Sequence, residues 1–150
     1  MKYLLHVPIA VSLSIGALGG CGGGSSNSPM SPTSPSPVPT TRTVVLQGAQ
    51  QIPVDYHYEF WFTTVRSGTL DITVDWTFAD SVVWVRLGQG TCTEAQIQAG
   101  QCQWILQSLV SQPKPRALTL PAAAAGQYTL FIYNGGPQPE SVSFLVELTG

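Results

Sequence analysis

The side chains that could carry acid–base or nucleophilic chemistry are few in this 150-residue chain, and their spacing does not suit catalysis. Asp55 and His57 are two positions apart on a segment that alternates like a β-strand. On a strand, such residues lie side by side on one face, which is a poor arrangement for a carboxylate that must orient an imidazole. The Gly-Xaa-Ser-Xaa-Gly turn of many serine hydrolases does not occur in the sequence. These patterns favour a protein that is not an enzyme.

Acidic side chains offer one weak metal site, formed by Asp75 and Asp80. Their hard oxygen ligands suit Ca²⁺, which takes six to eight of them. Asp71 and Asp75 lie about 13 Å apart along one predicted strand, so they cannot share an ion. The alternative, which we favour, is that the alternation of Thr and Asp makes a solvated sheet face that discourages aggregation. We therefore expect no cofactor, and His57 as the only imidazole after residue 20 argues against a His-based zinc site.

Aromatic and charged side chains indicate a binding surface. Trp61 and Trp84 fall on the polar side of their predicted strands, where an indole leaves apolar area in water. Flat exposed rings can stack on sugar rings or on a protein partner. The predicted ligand-binding residues are Trp61, Trp84, His57, Glu59 and Arg86. The alternatives are that a loop such as residues 92–102 covers both indoles, or that the inward and outward sides of residues 82–87 are reversed. Trp76 and Trp104 are expected in the core.

The N-terminus has the pattern of a cleaved export signal. Lys2 is followed by an apolar stretch over residues 3–18, which is short for a membrane-spanning helix, and then by small residues before Cys21. Leu18-Gly19-Gly20-Cys21 resembles a bacterial lipobox, which implies cleavage before Cys21 and acylation of that residue, with palmitate as a typical chain. Gly22 in place of Asp favours the outer membrane of a Gram-negative envelope. The alternative is an ordinary signal peptide with an unmodified cysteine.

Three cysteines are an odd number for an exported chain, and one acylated cysteine leaves a pair. Cys92 and Cys102 bracket a short loop. In an exported protein such a pair is expected to form a disulfide, which stabilises by roughly 2–3 kcal/mol in the chain-entropy model. A metal or redox role would need further thiol or imidazole ligands, and the neighbouring sequence has none.

Composition divides the chain into a signal peptide of residues 1–20, a tether of residues 21–41 that begins with the lipidated Cys21, and a domain of residues 42–150. The tether is rich in Gly, Ser and Pro, which is typical of an extended linker with a reach of roughly 60 Å. The alternative is a plain disordered N-terminus.

Six basic and eight acidic residues give a net charge of −2, so the chain has no electrostatic footprint for nucleic acid.

Residues 42–150 alternate between apolar and polar side chains with the period of β-strands. The predicted strands are residues 56–64, 69–78, 82–87, 103–109, 116–120, 127–133 and 141–148. Their inward sides include Tyr56, Tyr58, Phe60 and Phe62; Leu70, Ile72, Val74, Trp76 and Phe78; Val83, Val85 and Leu87; and Val142, Phe144, Val146 and Leu148. Turn residues predict tight reversals between paired strands at Arg66-Ser67-Gly68 and at residues 134–139. One or two helical turns are expected at residues 93–98.

Strands with one apolar face must bury that face against a second sheet. We therefore predict an all-β fold, an antiparallel β-sandwich of jelly-roll or Ig-like type with seven or eight strands, after a disordered N-terminal signal peptide and linker. About 110 residues are enough for one such core.

Four stretches of the chain carry a resemblance to a known family, namely residues 67–76, residues 125–130, Asn134-Gly135 and residues 140–144. They resemble the bacterial pre-peptidase C-terminal domain, and the resemblance spans residues 52–149. It implies a non-catalytic β-sandwich carried by a small lipoprotein, and some relatives bind calcium or matrix polymers. We therefore expect a lipid-anchored envelope module that presents a rigid sheet to a polysaccharide or a protein partner. The alternative is a structural or accessory factor that supports an exported peptidase without a ligand of its own.

Overall fold

Eight strands and one short helix form the folded part of the chain in a computed structural model, which describes residues 40–108 and 113–150. The strands are β1 (Arg42–Ile52), β2 (Tyr56–Thr64), β3 (Gly68–Trp76), β4 (Val83–Gln89), β5 (Gln103–Gln107), β6 (Arg116–Ala123), β7 (Gly126–Asn134) and β8 (Glu140–Thr149), and the helix is α1 (Glu94–Gln98). The predicted signal peptide, Cys21 and nearly all of the predicted tether lie outside the described residues. Within the described ranges, no helix has the length and apolar character needed to cross a membrane.

The strands form two four-stranded antiparallel sheets. Sheet I has the order β1-β8-β3-β6, and sheet II has the order β2-β7-β4-β5. This order is that of a jelly roll, in which the chain passes back and forth between two facing sheets of four strands. The predicted all-β antiparallel sandwich is therefore confirmed.

Both predicted hairpins are wrong, because the chain changes sheet at each of them. β2 pairs with β7 whereas β3 pairs with β6 and β8, so Arg66-Ser67-Gly68 crosses from sheet II to sheet I. β7 pairs with β2 and β4 whereas β8 pairs with β1 and β3, so residues 134–139 cross in the same way. Turn residues show where the chain reverses. The partner of each strand is instead selected by the packing of two apolar faces against each other.

The core lies between the sheets and consists largely of the residues that the alternation placed inward. The fully or almost fully buried apolar side chains include Leu70, Ile72, Val74 and Trp76 of β3, Val83, Val85 and Leu87 of β4, Leu130 and Ile132 of β7, and Val142, Phe144, Val146 and Leu148 of β8. β2 contributes Phe62, and Tyr58 and Phe60 pack against the same cluster. The core position predicted for Trp76 is thus confirmed.

Two residues that were expected to face inward lie at strand ends and are exposed. Phe78 is 38% exposed because β3 ends at Trp76, two positions earlier. The backbone N–H groups of Thr77 and Phe78 donate to the side-chain oxygen Oε2 of Glu140, the first residue of β8, at 2.9 and 3.2 Å. Tyr56 is 50% exposed because it begins an edge strand of sheet II.

β1 is the strand that the alternation did not predict. It pairs with β8 at the edge of sheet I, and its register shifts between Val44 and Leu46, which breaks the two-residue period. Gly48 lies against the ring of Phe144, where an added Cβ would come within 2.7 Å of Cζ. An irregular edge strand of this kind leaves little periodic signal in the sequence.

Two ionisable side chains are buried inside the sandwich. Arg116 is 2% exposed and Glu140 is 0% exposed. Arg116, on β6 of sheet I, donates to the carbonyl oxygen of Val83 on β4 of sheet II, and its guanidinium carbon lies 5.1 Å from the centroid of the Trp76 ring. Burial lowers the pKa of Arg116. The side chain therefore links the two sheets through a polar contact in the interior.

Candidate functional site

The outer face of sheet II carries the residues predicted to bind a ligand. β7 is central in this sheet, with β2 on one side and β4 on the other. Strand pairing aligns two rows across the face, His57–Tyr133–Trp84 and Glu59–Phe131–Arg86. The predicted outward orientation of the two indoles is confirmed, because Trp61 is 57% exposed and Trp84 is 36% exposed.

A groove of about 410 Å³ lies on this face, and we call it the outer groove. Its lining residues are Asp55, His57, Val82, Trp84, Arg86, Ile97, Phe131, Tyr133 and Gly135. Three of the five predicted binding residues are thus in the groove, namely His57, Trp84 and Arg86. Ile97 comes from α1, so the loop between β4 and β5 forms one wall. The volume falls within the range of about 300–1,000 Å³ that is usual for small-molecule sites.

Arg86, which lines the groove, lies among three aromatic rings. Its guanidinium carbon is 5.7 Å from the centroid of Trp84, 5.6 Å from that of Trp104 and 6.0 Å from that of Phe131. A cation over a ring face is attracted by about 0.5–2 kcal/mol. These contacts fix the position of one positive charge and its N–H donors beside the exposed edge of Trp84.

Trp104 was predicted in the core, and this prediction is wrong. Trp104 lies on the outer face of sheet II, half-buried, where its ring centroid is 5.4 Å from that of Phe131. The pairing of β4 with β5 shifts register between Leu87 and Gly88, so that Gly88 faces Trp104. A one-residue shift exchanges the two faces of a strand, which moves the indole from the inner side to the outer side.

Tyr133 and Asp55 form the polar end of the groove. Tyr133 Oη donates a hydrogen bond to Asp55 Oδ1 at 3.1 Å, and this bond raises the pKa of Tyr133. The phenol therefore remains a hydrogen-bond donor at neutral pH. The Tyr133 ring packs on Trp84, with 5.5 Å between the centroids. Asp55 thus orients a ring of the groove wall.

Trp61 is exposed on the same face but does not line the outer groove. Its partner on β7 is Thr129, whereas the partner of Trp84 is Tyr133, four residues farther along. Four strand residues span about 13 Å, so the two indoles are not neighbours. Trp61 Nε1 donates to the carbonyl oxygen of Cys92 at 3.2 Å. The structure therefore places Trp61 as a support for the disulfide-bonded loop.

The loop that forms one wall of the groove is closed by the predicted disulfide. Cys92 and Cys102 are bonded, with their Cα atoms 5.6 Å apart. The predicted helix at residues 93–98 is α1, which begins with a capping box between Thr93 and Gln96. An added Cβ at Gly88 would lie 3.1 Å from Cys92 Sγ, so a glycine leaves room for the disulfide against the sheet.

Replacement of both cysteines by alanine is expected to lower the free energy of unfolding by about 2–3 kcal/mol, because the disulfide restrains a loop in the unfolded chain. The paired cysteines are separated by 10 positions. For a domain of this size the loss corresponds to a fall of about 10–15 °C in Tm. Thermal unfolding of the Cys92→Ala/Cys102→Ala variant measures this effect, and reduced wild-type protein should behave in the same way. A variant that melts with the oxidised wild type would contradict the expected role of the disulfide.

Beside the groove, three ionisable side chains converge. His57 Nε2 lies 2.5 Å from Glu94 Oε2 and 3.3 Å from Glu59 Oε1. The hydrogen bond with His57, followed by that with Gln98, lowers the pKa of Glu94, so its carboxylate is ionised at neutral pH. Glu94 was absent from the predicted site. The helical turns predicted at residues 93–98 include Glu94, but no sequence signal placed them over β2.

The weak calcium candidates, Asp75 and Asp80, are not part of this cluster. Asp75 lies on β3 of sheet I, and Asp80 follows the end of that strand. Asp75 Oδ1 accepts a hydrogen bond from the backbone N–H of Trp76 at 2.9 Å and lies 3.2 Å from Lys114 Nζ. Asp80 is exposed in the turn after β3. Among the described residues, neither belongs to a group of three His, Cys, Asp or Glu side chains that could hold an ion. A lysine ammonium of the chain itself thus balances the charge of Asp75.

The fold and the groove together define a jelly-roll β-sandwich with an aromatic site on one outer face. No family model and no curated protein matches the chain. Among solved structures, the chain is similar to the mitogen derived from Yersinia pseudotuberculosis, with a TM-score of 0.52 and 12% identity over 69% of this chain and 85% of the mitogen. It is also similar to PliG of Aeromonas hydrophila, a periplasmic inhibitor of g-type lysozyme, with a TM-score of 0.43 and 11% identity over 74% of this chain and 86% of that protein. At 12% identity, the likeness to the mitogen is one of fold alone.

Proposed function

We propose that the chain is a non-catalytic, lipid-anchored module of the cell envelope that binds a polysaccharide in the outer groove. The observation that carries the proposal is the exposed indole of Trp84, which packs on Tyr133 and lies beside Arg86, with Asp55 bonded to Tyr133. An outer sheet face needs no aromatic cluster for folding, because the core lies on the other side of the sheet. Exposed clusters of this kind mark binding sites.

The chemistry of the groove fits a sugar ring. A pyranose has an apolar face of C–H groups and a rim of hydroxyl groups. The rings of Trp84 and Tyr133 supply flat apolar surface, the guanidinium of Arg86 donates hydrogen bonds, and the carboxylate of Asp55 accepts them. A mostly apolar pocket with a few placed polar groups is the usual form of a small-ligand site. A single repeat of a polymer would therefore fill the groove.

Charge argues against nucleic acid as the polymer. Lys114 is the only lysine after residue 20, and it pairs with Asp75. One arginine in the groove can bind a hydroxyl or a carboxylate, but it cannot follow a phosphate backbone. A neutral or weakly acidic polysaccharide remains the ligand that the groove favours.

Anchorage in the envelope is part of the same proposal. It is supported by the lipobox-like residues that end at Cys21 and by the Gly, Ser and Pro content of residues 22–41. Two or three acyl chains on one cysteine would hold the protein on a membrane, since each buried CH₂ contributes about 0.8 kcal/mol. The proposal places the protein at the outer membrane and relates it to lipoproteins that carry a pre-peptidase C-terminal domain. Both parts rest on the sequence.

Substitution of Cys21 by serine is expected to move the protein from the membrane fraction to the soluble fraction, because the serine cannot accept the thioether-linked diacylglycerol. Intact-mass spectrometry of the wild-type protein should show a chain that begins at residue 21 and carries acyl groups. Gly24→Ala, which keeps Cys21 and the residues before it, is the matched control and should stay with the membrane. An unmodified Cys21 thiol in the native host would overturn the anchored form of the proposal.

Glycan-array screening of the full chain, purified in detergent, tests the binding proposal. We expect one class of polysaccharide to bind, in competition with its own soluble oligosaccharides. A chain that binds no glycan on an array of envelope and matrix polymers would contradict the proposal. A protein partner whose affinity does not change with groove substitutions would likewise contradict it and would favour the accessory role.

A further inference from the structure

The cluster of His57, Glu59 and Glu94 has the geometry of a set of metal ligands. One ligand atom from each of the three side chains lies within 4.8 Å of the other two. His57 and Glu59 lie two positions apart on the outer face of β2, and Glu94 approaches from α1. Gln98 Nε2 donates to the second oxygen of Glu94 at 2.5 Å, which is the kind of contact that orients a metal-binding carboxylate.

The charges of the cluster are not balanced by the ion pairs of the described residues. Two carboxylates face one imidazole, which carries at most one positive charge. The ion pairs of Lys and Arg among the described residues involve Asp71, Glu147 and Asp75, and none involves Glu59 or Glu94. Glu59 Oε1 is buried and accepts no hydrogen bond within the described part of the chain. A divalent cation would neutralise the excess charge and bind this oxygen directly.

The donor set selects the kind of metal. One imidazole nitrogen and two carboxylate oxygens suit Zn²⁺, which binds both at about 2.0–2.2 Å, whereas Ca²⁺ prefers oxygen ligands alone. A tetrahedron with such bonds separates its ligand atoms by about 3.4 Å. The separation of His57 Nε2 from Glu59 Oε1 is 3.3 Å. Glu94 has to withdraw by less than about 1 Å, and its side chain is 51% exposed and free to do so.

We propose that His57, Glu59 and Glu94 bind a Zn²⁺ ion that fastens α1 to the outer face of sheet II. The helix has little else to hold it, because none of its five residues, all of which the structure describes, is buried. The disulfide and the contacts of Cys92 with Trp61 and Thr129 secure only the ends of the loop. The fourth coordination position is open to water. The ion stabilises the loop wall that carries Ile97 into the outer groove.

Calorimetric titration of the tag-free full chain with Zn²⁺ tests the proposal, after treatment with EDTA and removal of the chelator. We expect one ion per chain and a weakening of at least about 100-fold in His57→Ala and in Glu94→Gln, since the loss of a ligand exceeds the 10- to 100-fold effect of a supporting residue. Glu147→Gln is the matched control, because this carboxylate pairs with Arg42 on sheet I and should not affect binding. Zn²⁺ should also raise the Tm of the wild type and of Glu147→Gln, but not that of His57→Ala.

Absence of Zn²⁺ binding to the wild type would overturn the proposal, as would binding that all of these variants retain. A third outcome would also overturn it: His57→Ala lowers the Tm while Zn²⁺ leaves the Tm of the wild type unchanged. The cluster would then be an ion pair and nothing more. Because the titration contains no glycan, its result is independent of the polysaccharide proposal.

Discussion

Trp84→Ala is expected to weaken polysaccharide binding by about 30-fold, which corresponds to about 2 kcal/mol. The substitution removes the exposed ring that packs on Tyr133 and lies beside Arg86. Aromatic rings that stack on a ligand contribute both apolar area and favourable geometry, and alanine replaces neither. Titration calorimetry with an oligosaccharide of the class found on the array gives the ratio of dissociation constants. Trp84→Phe should keep part of the affinity, because it retains a smaller flat ring.

Trp61→Ala is the matched control for this prediction. Trp61 is the same residue type on the same sheet face, and at 57% exposure it is more accessible than Trp84. It lies outside the outer groove, and the disulfide still closes the loop that its indole N–H supports, so the affinity should stay within about twofold of the wild type. The double variant should then bind no more weakly than Trp84→Ala. Equal losses for both single variants would contradict the assignment of the site to the groove.

Glu140→Ala is expected to lower the free energy of unfolding by about 3–5 kcal/mol. Glu140 is 0% exposed, and its Oε2 accepts the backbone N–H groups of Thr77 and Phe78 at 2.9 and 3.2 Å. Removal of the acceptor leaves two backbone donors without a partner, at about 1–3 kcal/mol each, and leaves a cavity in addition. Urea denaturation measures the loss as a change in midpoint at a constant m-value.

Two further variants make the stability prediction specific. Glu140→Gln keeps an amide oxygen for the two N–H groups and should cost about 1 kcal/mol. Glu147→Ala, on the same strand, removes an ion pair at the surface with Arg42 and should cost less than about 1 kcal/mol. If Glu140→Ala and Glu147→Ala destabilised the domain equally, the buried carboxyl group would not hold the end of β3.

The alternation of side chains was sufficient to locate seven of the eight strands, all but β1, and most of the core. β2 begins and ends at the predicted residues. Val83, Val85 and Leu87 are all buried, because apolar side chains at every second position of a strand lie on the same face of the sheet. The same rule placed Trp84 outward. The local pattern therefore predicted three of the five strand residues that line the groove, His57, Trp84 and Arg86. It missed Phe131 and Tyr133 of β7.

Features that depend on contacts between distant segments could not be predicted in this way. The pairing of β2 with β7, and not with β3, follows from the packing of two whole sheets. The outward position of Trp104 follows from a register shift between Leu87 and Gly88 that leaves no mark in the alternation. Glu94 reaches His57 across 37 positions of sequence. The cluster of His57, Glu59 and Glu94 therefore forms only when the loop folds over the sheet.

Resonance mapping of the indole N–H groups is the most direct test of the claim that the outer groove binds a polysaccharide. The chain has four tryptophans, each with one indole N–H signal in a ¹H–¹⁵N spectrum. On addition of an oligosaccharide of the class found on the array, the Trp84 signal should shift most and that of Trp104, which shares Arg86 with it, should shift less. The signals of Trp61 and Trp76 should not move. A shift confined to Trp61, or a bound ligand that leaves Trp84 unchanged, would contradict the account.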